Sequence, residues 1–238
     1  MTQLPRRSVL RTGMLGLTAI VAGCTGSSMK DTGTSEGIPG VEDGEVTDNH
    51  ELATAHSNQL ANRSGTVEWT RVSLDPETSN PKTHTLWTVR VEGDRVHADV
   101  RGRASFSGTD ADRLEVYYGE NTTSYRKRID SEWQTGETEQ LSINKGEFTG
   151  RSSLESASVN KIGTEATNDE TLYRFSNTGS DPDSERLNWV SVQALIGENG
   201  LGYNFERTLA GDSTRQVDEW HLRDLDETTV ERPDWIEG

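Results

Sequence analysis

The stretch Leu187–Leu209, LNWVSVQALIGENGLGYNFERTL, decides the fold class of this chain. In its first part, apolar residues occupy every second position: Val190, Val192, Ala194 and Ile196. That period of two is typical of a strand with one buried face, and Asn199-Gly200 then favours the positive φ of a hairpin turn. The returning strand has an apolar face of its own: Tyr203, Phe205 and Leu209. We therefore predict an antiparallel hairpin here.

Alternating segments of the same kind occupy most of the chain after Gly65. Gly93-Asp94 joins two of them as a two-residue turn with glycine first, as a type II′ hairpin requires. In all, we predict about eight to ten short antiparallel strands. Outside the first hairpin, the clearer ones are Thr66–Leu74, Trp87–Glu92, Arg95–Arg101, Leu114–Tyr118, Tyr125–Ile129 and Val217–Val230, and weaker strand signals run through Leu141–Ile143, Phe148–Leu154 and Leu172–Phe175.

One helix is predicted, over Asp48–Asn62. Asp48 is a good N-cap, and Glu51 stands three residues further on, as in a capping box. Helical spacing places one set of side chains on a common face: Leu52, Ala55, His56, Gln59 and Leu60. We interpret His56 as a packed, hydrogen-bonded residue and not as a metal ligand, because no second ligand stands four residues further on.

The predicted fold class is mainly β (α+β), with an N-terminal helix packed in a curved antiparallel sheet or half-open β-barrel. Antiparallel strands with alternating polarity must bury one apolar face, and one helix covers only part of it. We expect a single β-rich domain over residues 48–238.

The first residues have the features of an export signal. Arg6 and Arg7 precede a short, uncharged, weakly apolar stretch, and no acid occurs before Asp31. Paired arginines in this position resemble the twin-arginine (Tat) signal. We therefore predict a Tat-type lipoprotein signal peptide over residues 1–23.

Cys24 is the only cysteine of the chain, and it directly follows the apolar stretch. Val21-Ala22-Gly23-Cys24 resembles a lipobox, in which the cysteine is lipidated and becomes the mature N-terminus. A two-chain anchor is enough for stable attachment. We predict a lipid-anchored protein on the outer face of the cytoplasmic membrane, with a flexible Gly/Ser/Thr-rich tether over residues 24–47.

The composition is strongly acidic. The whole chain carries 24 basic and 40 acidic residues, and loss of residues 1–23 would remove three arginines and give a net charge of −19. High acid, few lysines and modest hydrophobicity resemble a halophilic protein, because concentrated salt screens carboxylate repulsion. The same balance argues against a basic patch that would bind nucleic acid or an anionic membrane face.

Three segments resemble a known family: Ala55–Ser64, Thr171–Phe175 and Thr229–Trp235. Together with the lipobox, they resemble uncharacterised lipoproteins of halophilic archaea. That family has no established activity, so the resemblance implies a compartment more than a chemistry. The arrangement of helix and curved sheet in that family is similar to that of bacterial lipoprotein carriers and mycobacterial lipid-binding lipoproteins. Those proteins hold acyl chains inside a half-barrel. The likeness to the carriers is an analogy of fold only.

The sequence contains no motif that indicates an enzyme or a cofactor site. Metal sets of Cys and His, glycine-rich nucleotide loops and Walker-type sequences are all missing from it. Two hypotheses for the function remain. The first is a binding module for a lipid or other apolar ligand. The second is a structural or protein-interaction lipoprotein whose core is filled by its own side chains. A two-lobed solute-binding protein is disfavoured, because the strands do not alternate with helices.

One helix cannot cover every apolar position of the predicted sheet. We therefore hypothesise a cavity that takes an isoprenoid or acyl chain; its lining is Trp69, Trp87, Val89 and Val91. Two sequons, at Asn62 and Asn121, fall in predicted loops or element ends and are candidate glycosylation sites.

Overall fold

The computed structural model describes residues 37–106, 109–119, 123–137, 148–156, 159–166, 170–179, 189–212 and 215–236. In these ranges, α1 spans Asn49–Ala61 and α2 spans Arg151–Glu155. The strands, β1 to β13 in chain order, are Val41–Glu42, Glu45–Val46, Ser64–Leu74, Pro81–Glu92, Arg95–Phe106, Thr109–Tyr118, Thr123–Ile129, Glu132–Glu137, Asn160–Ala166, Thr171–Gly179, Trp189–Gly197, Gly202–Ala210 and Arg215–Arg223.

All 13 strands belong to one open antiparallel sheet. Strands β3 to β8 follow one another as a meander, and β9 to β13 form a second meander. The two meet where β13 pairs with β3, while β1 and β2 extend the sheet beyond β9. The predicted fold class, mainly β with a helix packed on a large antiparallel sheet, is confirmed.

The central hairpin forms as its sequence predicts. Strands β11 and β12 pair antiparallel, and the apolar alternation of β11 points into the core. Gly200 adopts a φ of +81°, which few residues other than glycine tolerate. Asn199 contributes through its side chain, whose Oδ1 accepts a hydrogen bond from the Leu201 amide at 3.0 Å.

Helix α1 matches its predicted bounds to within one residue at each end. Asp48 caps its start by accepting a hydrogen bond from the Glu51 amide at 2.9 Å, and Asn62 caps its end. The buried side chains of the helix are Leu52, Ala53, His56 and Leu60. This face packs on one side of the sheet, which we call the core face.

Helix α1 lies near one end of the strands. The Gly93 amide in the β4–β5 turn donates to the Arg63 carbonyl just after the helix, at 3.3 Å. The Gly202 amide at the start of β12 donates to Nδ1 of His56 at 3.1 Å. Both contacts lie at the same end of the sheet, which we call the helix end; the β3–β4 and β12–β13 turns lie at the far end.

Cross-strand register aligns a band of apolar side chains across the middle of the core face. We call this band the aromatic row: Phe175, Ala194, Phe205, Trp220, Trp69, Trp87, Val100 and Leu114. Every member is buried. Directly opposed side chains on one face stabilise a sheet through their mutual packing, so this row joins the two meanders into one core.

The opposite, outer face carries a network of ion pairs. Arg126 forks onto Glu115 with hydrogen bonds of 2.9 and 3.0 Å. Arg113 reaches Glu115 at 2.9 Å and Asp99 at 2.8 Å. Glu115 is buried on this face, and the two arginines supply the hydrogen-bond partners that a buried carboxylate needs.

The C-terminal segment runs across the outer face. The Val230 amide donates to Oε2 of Glu92 at 2.8 Å, and Nη1 of Arg95 donates to the Val230 carbonyl at 3.1 Å. Val230 is buried there, and the Arg126 guanidinium lies 5.3 Å from the ring centroid of Trp235. The segment Thr229–Trp235, which carries part of the family resemblance, therefore packs on the outer face of the sheet.

The folded chain begins earlier than the predicted domain boundary. Within the predicted tether 24–47, Ile38 and Val41 are buried in the core, and β1 and β2 form a small hairpin that pairs with β9. The Gly40 carbonyl also accepts hydrogen bonds from the amides of Thr47 and Asp48. The last part of that range is thus folded chain, because its few apolar residues find a place in the core.

Two predicted strands differ from the structure. Phe148–Leu154 was expected as a strand, but Gly150 has a φ of +82° and the short helix α2 follows it. The last strand was expected to run over Val217–Val230, yet β13 ends at Arg223, and Asp224 and Asp226 take positive φ angles in the turns that follow. Residues 1–36, the predicted strand Leu141–Ile143 and Asn121 lie outside the described residues.

Candidate functional site

The predicted ligand residues Trp69 and Trp87 lie side by side in the aromatic row. They are direct cross-strand partners in β3 and β4. Their rings stack with centroids 4.8 Å apart and an interplanar angle of 27°. Only 8% of Trp69 and 6% of Trp87 is exposed. The ring pair therefore forms one stacked, almost completely buried apolar unit within the core face.

Val89 and Val91 follow Trp87 on the same face of β4, towards the helix end. Their exposed fractions are 0% and 1%. Val89 lies opposite Val67 and Ala98 in the neighbouring strands. These two valines belong to the packed part of the core beside α1, whereas the tryptophans stand nearer the far end.

Arg71 covers the ring pair. It follows Trp69 by two residues on β3 and so projects from the same face. Its guanidinium carbon lies 5.2 Å from the ring centroid of Trp69 and 5.5 Å from that of Trp87. A guanidinium at this distance is attracted to the negative faces of both rings. With 34% of its side chain exposed, Arg71 is the solvent-side cover of the pair.

A buried carboxylate holds Arg71 in place. Oδ1 of Asp218 accepts a hydrogen bond from Nε of Arg71 at 2.6 Å, and Oδ2 accepts from Nη2 of Arg207 at 2.7 Å and Nε2 of Gln216 at 2.9 Å. We call these four residues the Asp218 cluster. Asp218 faces its two arginines directly across β3 and β12.

The charge state of Asp218 follows from these contacts. Its side chain is only 1% exposed, and burial alone would raise the pKa of the carboxyl group. Arg71 and Arg207 lower that pKa by more, so it lies below its ordinary value. Asp218 is therefore ionised at neutral pH, and one carboxylate is shared by two guanidinium groups.

Two donors near the ring pair have no acceptor among the residues that the structure describes. Arg71 uses Nε towards Asp218, and its Nη1 and Nη2 meet no acceptor in the described ranges. Nε1 of Trp69 is buried and likewise has no hydrogen-bond partner there. Buried or half-buried donors normally have an acceptor. The donors of Arg71 and Trp69 are therefore suited to hydrogen bonds with an oxygen of a ligand.

His56 helps to close the helix end of the core face. Its Nε2 donates to the Thr149 carbonyl at 2.7 Å, while its Nδ1 accepts from the Gly202 amide. Its ring lies 5.7 Å from that of Trp220. Burial lowers the pKa of His56 to about 4, with the Thr149 bond opposing this shift. The prediction of a packed, hydrogen-bonded histidine is confirmed.

The remaining predicted sites have different outcomes. Cys24, Arg6 and Arg7 lie outside the described residues, as does the sequon at Asn121. Asn62 is exposed at the end of α1, and its Nδ2 donates to the Asn58 carbonyl at 2.8 Å. Its modification remains a prediction.

Two features are absent from the residues that the structure describes. None of their helices has both the length and the apolar composition needed to span a membrane. Within the same ranges, no group of three or more His, Cys, Asp or Glu side chains is placed to hold a metal ion.

Sequence reasoning found the tryptophans but missed the Asp218 cluster. Asp218 stands in a region rich in charge, at a position that alternation alone would assign to either face. Its partners Arg71 and Arg207 become neighbours only through the register of β13 with β3 and β12. The usable signal was that Arg71 shares the period of Trp69 on one strand.

Comparisons with known proteins give likenesses of structure alone. No family model matches the sequence, and no curated protein matches it. LprF from Mycobacterium bovis is 12% identical, with a TM-score of 0.41 over 78% of this chain and 96% of that one. The Mycobacterium tuberculosis lipoprotein LppX is 12% identical, with a TM-score of 0.42 over 77% and 97%.

A protein of the DUF1329 family from Desulfovibrio piger is more distant. It is 8% identical, with a TM-score of 0.31 over 78% of this chain and 94% of that one. The predicted likeness to mycobacterial lipoproteins is therefore found among solved structures. Scores of this size imply no shared ligand.

Proposed function

We propose that this protein is an exported, lipid-anchored protein that holds the apolar chain of a lipid against the Trp69–Trp87 pair. The observation that carries the proposal is that, among the residues that the structure describes, the partly exposed side chain of Arg71 lies over both of the stacked tryptophans in the core face. A tryptophan ring offers a large, rigid apolar area. An arginine side chain has several rotatable bonds, so the guanidinium of Arg71 can shift off the rings and admit an apolar chain while its Nε stays paired with Asp218.

The proposal includes the membrane location predicted from the first residues. A domain tethered to Cys24 would stay within reach of membrane lipids, and two anchor chains suffice for stable attachment. Cys24→Ser should release the protein into the medium or stall processing of its precursor. Replacing Arg6 and Arg7 by Lys should block export. Membrane-bound Cys24→Ser protein of normal mature mass would refute the anchor.

The competing function is a structural or protein-interaction lipoprotein without a ligand. It is favoured by the small exposed fractions of Trp69 and Trp87, which are those of ordinary core residues. The two functions differ in one measurable respect: whether a lipid chain reaches the rings of Trp69 and Trp87.

A neutral monoglyceride with a brominated acyl chain tests this contact, because bromine quenches tryptophan fluorescence at short range. The full chain at molar salt should show saturable quenching. Most of the quenching should disappear when Trp69 and Trp87 are both replaced by Phe. The control is Trp133→Phe, since Trp133 is 39% exposed on the outer face. If quenching is absent or does not saturate, or if Trp133→Phe loses as much quenching as the double variant, the lipid does not bind at Trp69 and Trp87. The structural or protein-interaction function would then stand.

A further inference from the structure

We propose that the lipid held by this domain has an anionic, oxygen-rich headgroup, of the phosphate or carboxylate class, and that Arg71 binds it. The inference rests on the proposed function, because headgroup and chain belong to one ligand. In this arrangement the apolar chain lies along the Trp69–Trp87 pair, and the headgroup sits at the far-end side of the rings.

The geometry of Arg71 supports an anion site. A guanidinium has five N–H donors in a planar fork, and Asp218 engages Arg71 through Nε alone. The two terminal nitrogens meet no acceptor in the part of the chain that the structure describes. Those nitrogens can form the paired hydrogen bonds that a phosphate or carboxylate accepts from arginine.

The second arginine of the Asp218 cluster is already engaged. Arg207 gives Nε and Nη2 to Asp218 and its Nη1 to Oγ of Ser156 at 3.2 Å. Its side chain is also less exposed than that of Arg71. Arg71 is therefore the member of the cluster that can turn to a ligand while Arg207 keeps Asp218 paired.

The local charge has the opposite sign to the whole chain. Two arginines and one carboxylate leave the cluster with one positive charge, whereas the chain has a net charge of −16. Long-range repulsion would disfavour an anion in dilute buffer, but a Debye length of about 3 Å at 1 M salt removes most of it. The short, partly buried contact with Arg71 is screened much less.

The test compares three probes on the full chain at one molar salt concentration: decyl phosphate, decanol and inorganic phosphate. Titration calorimetry, below the critical micelle concentration, should show decyl phosphate binding about tenfold or more tighter than decanol. Inorganic phosphate alone should bind far more weakly than either, because it has no chain to bury. Arg71→Gln should weaken decyl phosphate about tenfold and leave decanol unchanged.

Two further variants keep the result interpretable. Arg71→Lys retains the charge without the fork and should give an intermediate affinity for decyl phosphate. Arg101→Gln, on the exposed outer face, should change nothing. Retained decanol binding shows that each variant is folded.

Several outcomes would overturn the inference. Equal affinity for decyl phosphate and decanol would overturn the headgroup site while leaving the proposed function intact. The same holds for an equal effect of Arg71→Gln on both probes. Inorganic phosphate binding as tightly as decyl phosphate would identify a free-anion site and overturn the lipid headgroup. If neither decyl phosphate nor decanol binds, the proposed function itself is refuted.

Discussion

His56 shows how one buried polar side chain fixes local structure. The Gly202 amide donates to its Nδ1, so the ring proton must lie on Nε2, where it is given to the Thr149 carbonyl. Both nitrogens of the neutral ring are thus satisfied. Protonation of Nδ1 would oppose two donors, in a place where burial already lowers the pKa to about 4.

This residue predicts a pH dependence of folding. Between about 4 and the ordinary value of 6.5, the unfolded chain holds a proton on His56 that the folded chain does not. The free energy of unfolding should therefore fall as the pH drops through this window, by roughly 3 kcal/mol from this residue alone.

Denaturant titrations at molar salt measure the effect. His56→Gln should lower stability at neutral pH and flatten the dependence between pH 4 and 6.5. His84→Gln, at an exposed position of β4, should keep the parent slope. A parent slope retained by His56→Gln would show that His56 does not carry it.

Single elements were predictable where a helix cap or a turn residue marks their bounds in the local sequence. Asp48 and Glu51 mark the start of α1, and glycine at the first position of the β4–β5 turn adopts a φ of +57°. Strands β8 and β9 were missed because they are largely exposed and lack an apolar face. Alternation cannot reveal a strand that buries neither face.

The segment after Asp224 was also missed as a distinct element. The sequence predicts that a strand continues here, but the segment crosses to the outer face and buries Val230 there. Its apolar residues are few, and their partners Glu92 and Arg95 are distant in sequence. Only the folded sheet brings them together.

This segment should stabilise the domain. A chain ending at Glu227 loses the burial of Val230, worth about 1.5–3 kcal/mol for a valine, and its hydrogen bonds to Glu92 and Arg95. Thermal unfolding at molar salt should show a lower midpoint. A chain ending at Ile236 retains every contact described and serves as the control. Identical midpoints for all three chains would refute a stabilising role.

At the scale of the molecule, the site depends on long-range pairing. Trp69 neighbours Trp87 through a hairpin, which local sequence can indicate. Its other neighbour, Trp220, comes from the opposite end of the chain through the β3–β13 pairing. Register between distant strands is set by the whole apolar face, so the aromatic row was predictable as a set of buried residues and not as an arrangement.

Salt should control the stability of the whole domain. The net charge of −16 repels itself over a Debye length of about 30 Å at 0.01 M salt and about 3 Å at 1 M. Circular dichroism across a potassium chloride series should therefore show the strand signal lost at low salt and regained on adding salt. An unchanged folded spectrum at the lowest salt would contradict a salt-dependent fold.

Native mass spectrometry of the protein extracted from its own membranes tests the central claim most directly. The claim is that the core face holds a lipid beside Trp69 and Trp87. The protein is purified at molar salt and exchanged rapidly into a volatile buffer before the measurement. We predict a species heavier than the anchored chain by the mass of one non-covalent lipid. Collisional activation should release that lipid as an anion. A spectrum that contains only the mass of the anchored chain would contradict the account.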